Sequence, residues 1–184
     1  GGDTFQSSTL PESTNGWYQG MSESTIAEGK NGMIIVNMRN SFSGLDTAVC
    51  NCRGYAISTD GGETFGELKY DHALFDPGVA RGCQASFVGV DLPGRGRELF
   101  FSNPHNKTDR VGLLVQRSNA SKSGVGESWV PYYAFGSSVP AAYSCLAAIM
   151  RGDGAKNLAL IFETSVDKGC TGMCQIEFLP IDLS

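Results

Sequence analysis

Six cysteines are the first residues whose spacing raises a question of chemistry: Cys50, Cys52, Cys83, Cys145, Cys170 and Cys174. Thiolates hold zinc when four ligands converge, and the common ribbons space them Cys-x-x-Cys. Here the close pairs are Cys50-Asn51-Cys52 and Cys170-x-x-x-Cys174, and the two histidines lie elsewhere. This spacing argues against zinc, and no metal or other cofactor is expected. An even count fits disulfides instead, although 184 residues are enough to bury a core without them. Cys170 and Cys174 flank Gly172 and could close a small loop, but the order of cysteines does not fix their pairing. Two N-glycosylation triplets, Asn106-Lys107-Thr108 and Asn119-Ala120-Ser121, join the cysteines in predicting a secretory route, lysosomal or extracellular.

The elements that carry these residues read as strands. Met33–Arg39, Ala48–Ser58, Cys83–Val90, Glu98–Ser102, Val111–Arg117, Trp129–Phe135, Tyr143–Met150, Leu158–Glu163 and Met173–Phe178 are rich in β-branched or aromatic residues. Gly, Pro, Asn or Asp punctuates them, and no stretch keeps an apolar 3.6-residue period with caps at both ends. Nine or ten strands and no helix make the class all-β. Residues 1–20, rich in Ser, Thr, Gly and Pro, read as a lead-in segment, and 21–184 as the folded portion. The 24 glycines follow no Gly-X-Y period and suit tight turns between short strands.

Composition narrows the partners. The net charge is −5, so a nucleic acid held by general electrostatics is not expected. No apolar run approaches the roughly 20 residues of a membrane-spanning helix. The chain opens Gly1-Gly2-Asp3 without Met or an apolar leader, which predicts a processed product or a fragment.

A local repeat points to architecture. Ser58-Thr59-Asp60-Gly61-Gly62-Glu63-Thr64-Phe65 has a degenerate echo running from Ser118-Asn119 to Gly126-Glu127-Ser128-Trp129. Each ends a strand in Ser, turns through polar and Gly residues, and reopens on an aromatic. The Asp side chain can accept N–H bonds inside such a turn, and Gly supplies φ > 0. A hairpin device repeated at this interval suggests a propeller, whose blades hold four strands each.

The first copy resembles the Asp-box, S-x-D-x-G-x-T-W/F, found in sialidases. Further segments follow in that family's order. Ser22–Glu28 resembles its Glu segment, and Val36-Asn37-Met38-Arg39-Asn40 its N-x-R segment. Cys50-Asn51-Cys52-Arg53 resembles a run of lysosomal-type animal sialidases, and Gly82-Cys83-Gln84-Ala85-Ser86 resembles GCQGS. Phe100-Phe101-Ser102-Asn103-Pro104 with Arg110 resembles F-S-N-P…R, Ala142-Tyr143-Ser144-Cys145-Leu146 resembles A-Y-S-D-L, and Ile161-Phe162-Glu163 resembles L-Y-E. The resemblance spans roughly residues 20–165. It implies a six-bladed β-propeller of which this chain supplies about the C-terminal half, because six blades need about 24 strands.

The activity so implied is exo-α-sialidase: release of terminal sialic acid from glycoproteins, glycolipids or oligosaccharides. The sugar carries a carboxylate on its anomeric carbon, so the site must hold an anion, and arginine is suited to that by its permanent charge and planar fork. The resemblance assigns Arg39 and Arg110 to a three-arginine cluster whose third member lies outside this chain. It makes Tyr143 the nucleophile, since sialidases are a known exception to the two-carboxylate rule of glycosidases. A carboxylate approaching this anionic sugar would meet like-charge repulsion; a phenol does not, but it needs a base. Glu23 takes that role, and Glu163 stands behind the missing arginine. Read without the resemblance, both arginines are surface residues, Tyr143 a core aromatic and Glu23 a solvated loop carboxylate.

Gln84, Asn103 and His105 fall in or near matched segments and are expected along the pocket, while Asp60 reads as a structural turn residue. Cys145 stands where the family has Asp, which alters the polar surroundings of Tyr143. The family's N-terminal Arg and its Asp acid/base have no counterpart here, so the chain alone is expected to be nearly inactive and to need the missing N-terminal half as partner. The alternatives are a non-catalytic, lectin-like sialic-acid-binding propeller and a purely structural one.

Overall fold

The computed structural model describes residues 7–8, 20–42, 50–78, 81–118, 128–152, 154, 156–165 and 172–183. The lead-in over 1–20, the sequon at Asn119, the second turn of the repeat and Cys170 lie wholly or almost wholly outside them. The described chain is nearly all strand, with one 3-10 turn at Lys30–Gly32.

Four strands form the first sheet in the order β1-β2-β3-β4: β1 Met21–Glu28, β2 Ile34–Asn40, β3 Cys52–Ser58 and β4 Lys69–Phe75. Six form the second, in the order β10-β9-β8-β7-β6-β5: β5 Ser86–Leu92, β6 Gly96–Pro104, β7 Val111–Ser118, β8 Trp129–Met150, β9 Lys156–Thr164 and β10 Gln175–Asp182. Every pairing is antiparallel between sequence neighbours.

Two features differ from the sequence expectation. The strands expected at Trp129–Phe135 and Tyr143–Met150 are one strand of 22 residues. Gly136 and Pro140 read as punctuation, but β8 instead changes partners there. It pairs with β7 as far as Pro140, opposite Val111, and with β9 from Ala141, opposite Thr164. The strands β1 and β4 were not expected at all. Ser22-Glu23-Ser24 and Lys69-Tyr70-Asp71-His72 carry too much polarity to read as strands; both elements are sheet edges, where exposed residues such as Lys69 and His72 belong, while Asp71 is buried and accepts the Trp129 Nε1–H at 2.8 Å.

Because β8 changes partners, the second sheet has two arms, and three layers stack in sequence order. Phe100 and Phe101 show how the middle layer serves both neighbours, since adjacent strand residues face opposite sides. Phe100, with Val90, Leu113 and Val115, packs on Leu146, Leu158, Leu160 and Phe162 of the last arm. Phe101, with Phe87 and Leu99, packs on Ala27, Ile35, Tyr55 and Leu74 of the first sheet. A smaller cluster of Met38, Ala56 and Leu68 takes in Phe65, the aromatic that closes the Ser58 turn. The outer face of the last arm leaves Ile161, Ile176 and Phe178 exposed. The layers are successive blades of a partial propeller.

Candidate active site

Both reactive candidates stand on β-bulges. In the β1–β2 pair, Ser22 opposes Arg39 and Thr25 opposes Asn37, so three steps on one strand match two on the other. Glu23 sits in that extra residue with φ 39°. In the β8–β9 pair, Ala141 opposes Thr164 and Ser144 opposes Phe162, again three steps against two, with Tyr143 inside the gap. A bulge re-aims a side chain out of the strand's alternation. Glu23 and Tyr143, 120 residues apart, are thereby turned onto each other.

The Tyr143 hydroxyl donates to Glu23 Oε1 at 2.9 Å, and Arg39 Nη1 donates to Glu23 Oε2 at 2.6 Å. Arg110 lies with its guanidinium carbon 5.4 Å from the centre of the Tyr143 ring. Glu23, Arg39, Tyr143 and Arg110 therefore form one constellation drawn from β1, β2, β8 and the loop before β7. Tyr143 remains 38% exposed, open to a molecule arriving from outside.

The electrostatics of the group are mutual. Partial burial pushes the Glu23 carboxyl up, but the hydrogen bonds from Arg39 and Tyr143 and the charges of Arg39 and Arg110 outweigh it. The net effect holds Glu23 below the ordinary carboxylate range, so it is ionised and able to accept. Burial pushes Arg39 down, and the Glu23 bond and charge push it further up. Two positive side chains beside an exposed phenol and a carboxylate can receive an anion and, next to it, take a proton from a hydroxyl.

Glu163 does not join the constellation directly. It lines a cavity of about 410 Å³ beside Tyr143, together with Gln84, Cys145, Ile161 and Ile176. Gln84 also positions the nucleophile candidate's neighbour: its Oε1 accepts the Ser144 N–H at 2.9 Å, while Ser144 Oγ bonds Ser102 Oγ at 2.8 Å. Cys145 is a free, exposed thiol on the cavity wall. Asn103 and His105 are not among that cavity's lining residues. Asn103 is buried and donates to Phe75 O at 3.0 Å, and His105 stacks on the Phe75 ring with centroids 4.8 Å apart.

The remaining sequence candidates take structural places. Asp60 caps its own turn: Oδ1 accepts Ser58 Oγ at 2.7 Å and Thr64 N at 3.0 Å, and Oδ2 accepts Thr64 Oγ1 at 2.5 Å. These bonds, Ser58 first, hold its carboxyl far below the ordinary range. Cys50 and Cys52 are disulfide-bonded to each other. Their sulfurs and a His72 nitrogen lie within 4.8 Å, but sulfurs joined in a disulfide offer no thiolate to a metal. Asn106 occupies an exposed turn in which its Oδ1 accepts the Thr108 N–H and hydroxyl, both at 2.9 Å. Among the described residues, no helix is long and apolar enough to cross a membrane.

No family model matches the chain. It is 31% identical to a sialidase of Micromonospora viridifaciens over 102 residues, which are 54% of this chain and 14% of that protein. Its fold superposes on the intramolecular trans-sialidases of leech and of Ruminococcus gnavus with TM-scores of 0.64 and 0.65 at 19% identity. Each match covers 99% of this chain, and 26% and 36% of the respective neighbours. A Hadza microbial sialidase superposes at 0.60 with 23% identity over 89% of this chain and 28% of its own. The chain has the fold of part of the sialidase β-propellers on which it superposes. It spans between about a seventh and a third of the sialidases it matches.

Within this sialidase-type fold, the residues that sequence reasoning missed are those that hold the arginines. Arg39 Nε donates to Arg81 O at 2.9 Å, and Arg110 Nη2 donates to Gly82 O at 3.0 Å. The available signal was Arg81-Gly82 before Cys83, a place where a glycine marks a turn. Nothing in the order of residues says which side chains rest on that turn.

Proposed function

We propose that the chain is the C-terminal part of an exo-α-sialidase that releases terminal sialic acid from glycoproteins, glycolipids or oligosaccharides with retention of configuration. One observation carries the reading: the Tyr143 hydroxyl is bonded to a carboxylate, Glu23, that is itself paired with Arg39. A binding module needs the arginines but has no use for a phenol aimed at a base.

Arg39 and Arg110 receive the sugar carboxylate. The substrate anion then shares the positive charge that holds Glu23 below its ordinary range, and Glu23 becomes the better base. Tyr143 Oη attacks the anomeric carbon as its proton passes to Glu23 Oε1, the bond to the leaving oxygen breaks, and a sialyl-tyrosine forms. Water then attacks the anomeric carbon from the vacated face and gives its proton to the group that had protonated the leaving oxygen, now a base; the tyrosine oxygen leaves and regains the proton from Glu23. Two displacements at one carbon give retention. The acid that protonates the leaving oxygen and the third arginine come from the missing N-terminal half of the propeller, against which the exposed Ile161, Ile176 and Phe178 face is laid. Loss of a general acid costs on the order of 10²–10⁴-fold, so the chain alone is nearly inactive. The disulfide and the Asn106 sequon, whose Lys107 and Thr108 are exposed, support a secretory route, lysosomal or extracellular.

The test is hydrolysis of a fluorogenic α-sialoside by the purified chain beside Tyr143→Phe, with calorimetry of the unsaturated sialic-acid analogue. Weak analogue binding that Arg110→Ala abolishes, with little or no hydrolysis, is expected. Analogue binding indifferent to Arg39 and Arg110, or strong hydrolysis by the chain alone that Tyr143→Phe leaves unchanged, would overturn the proposal.

A further inference from the structure

Arg39 and Arg110 come from distant parts of the chain, yet their guanidinium groups rest on consecutive carbonyls of one turn, Arg81 O and Gly82 O. The backbone does not adopt that turn freely. Arg81 has φ 54° and Gly82 φ 77°, and a side chain in this region is uncommon and costly. Beneath the turn lies an ion pair, Arg53–Asp76, with both side chains fully buried. Asp76 Oδ1 accepts the Cys83 N–H at 2.7 Å and Oδ2 accepts the Asn40 N–H at 2.6 Å. One carboxylate therefore pins the residue after Arg39 and the residue after Gly82, bracketing the Arg39–Arg81 bond.

Arg53 completes the clamp. Its Nη1 donates to Cys83 O and lies 3.4 Å from both Asp76 oxygens, and its Nε donates to Asn37 Oδ1 at 2.8 Å. Its guanidinium carbon sits 5.7 Å from the centre of the Phe101 ring. The fit leaves no room above: a Cβ on Gly82 would come within 2.8 Å of Asp76 Oδ1 and 2.9 Å of Arg39 Cγ. A buried ion pair adds little net stability compared with apolar packing, so its use here is accounted for by the register it imposes.

We infer that Arg53 and Asp76 are positioning residues for anion capture: they fix the Arg81–Gly82–Cys83 turn, whose carbonyls set the spacing and direction of Arg39 and Arg110. The inference rests on the reading of those arginines as the carboxylate receptor and adds the part that presets it. Pre-set donors lose less freedom when the anion arrives.

The test is hydrogen exchange at the Cys83 and Asn40 amides and at Arg39 Nε–H, followed by NMR in the whole chain and in Asp76→Asn. In the wild type the three protons should exchange together and slowly. In Asp76→Asn, Arg39 Nε–H should exchange at least roughly tenfold faster, the loss of about one charge-assisted hydrogen bond, while β6 and β7 amides hold. Arg53→Lys, which keeps the buried charge but loses the fork, serves the same purpose if Asp76→Asn does not fold. A Cys83 amide that exchanges like an exposed loop in the wild type, or unchanged arginine signals in a folded variant, would overturn the inference. Titration with the unsaturated sialic-acid analogue separates the two claims. If the analogue leaves wild-type Arg39 and Arg110 signals unmoved, the receptor reading fails while the exchange result still judges the clamp. If it binds the wild type and a loosened variant with equal affinity, the positioning role fails and the receptor stands.

Discussion

Two ion pairs whose arginines stand on adjacent strands, Arg39 on β2 and Arg53 on β3, show opposite uses of the same chemistry. Arg53–Asp76 is 0% exposed on both sides, and its partners are mostly backbone groups. Arg39–Glu23 is 14% and 32% exposed, and its carboxylate also accepts a tyrosine hydroxyl. The inner pair spends its bonding capacity on the fold. The outer pair keeps groups that a ligand can reach and exchange. Burial decides which is which: a charge removed from water needs partners, which Arg53 finds at Nε and Nη1 though its buried Nη2 has none, whereas one at the surface can trade partners at small cost.

That contrast can be broken most sharply by Arg53→Met, which strands Asp76 without a counter-charge. It should cost about 3–5 kcal/mol in urea denaturation. Replacing both members with apolar residues should recover much of that loss without restoring the arginine geometry. A cost below ~1 kcal/mol for the single variant would put the two pairs on one footing. Gly82→Ala, with its φ of 77° and the contacts a Cβ would meet, should cost about 1–3 kcal/mol and displace Arg39. Glu23→Gln at the outer pair should change stability by less than ~1 kcal/mol, read by the same denaturation, while abolishing base function.

The smallest effect is a pH dependence. Glu23 is held below its ordinary value of 4.5 in the folded chain. Its contribution to stability is therefore complete above that value and is lost as pH falls through the lower, folded one. The stability difference between wild type and Glu23→Gln should be flat from neutral pH down to the ordinary value and then shrink. A difference that grows on acidification would reverse the sign assigned to the Arg39 and Tyr143 bonds.

Much of the fold was legible because strands and turns are local. The β-branched runs and their Gly, Asn and Asp punctuation marked β2, β3, β5, β6, β7, β9 and β10, and Ser58–Phe65 closes on its own Asp60. The polar edges β1 and β4 were hidden because exposed polar residues interrupt them, and in β4 the buried Asp71 reads as punctuation although it bonds Trp129 inside the fold. The partner change in β8 was hidden because Gly136 and Pro140 look the same in a break as in a bend.

The site divides the same way. The sequence by itself determined which side chains are available, Glu23, Arg39, Arg110, Tyr143 and Glu163, and the class of propeller that carries them. Only the tertiary structure decided that four of them meet, that Glu163 stands back on a cavity wall, and that Arg53 and Asp76 hold the turn beneath Arg39 and Arg110. The reason is physical. Residue type fixes charge and hydrogen-bonding capacity wherever the residue lies, but two β-bulges and one turn with positive φ, each set by long-range pairing, decide where those groups point.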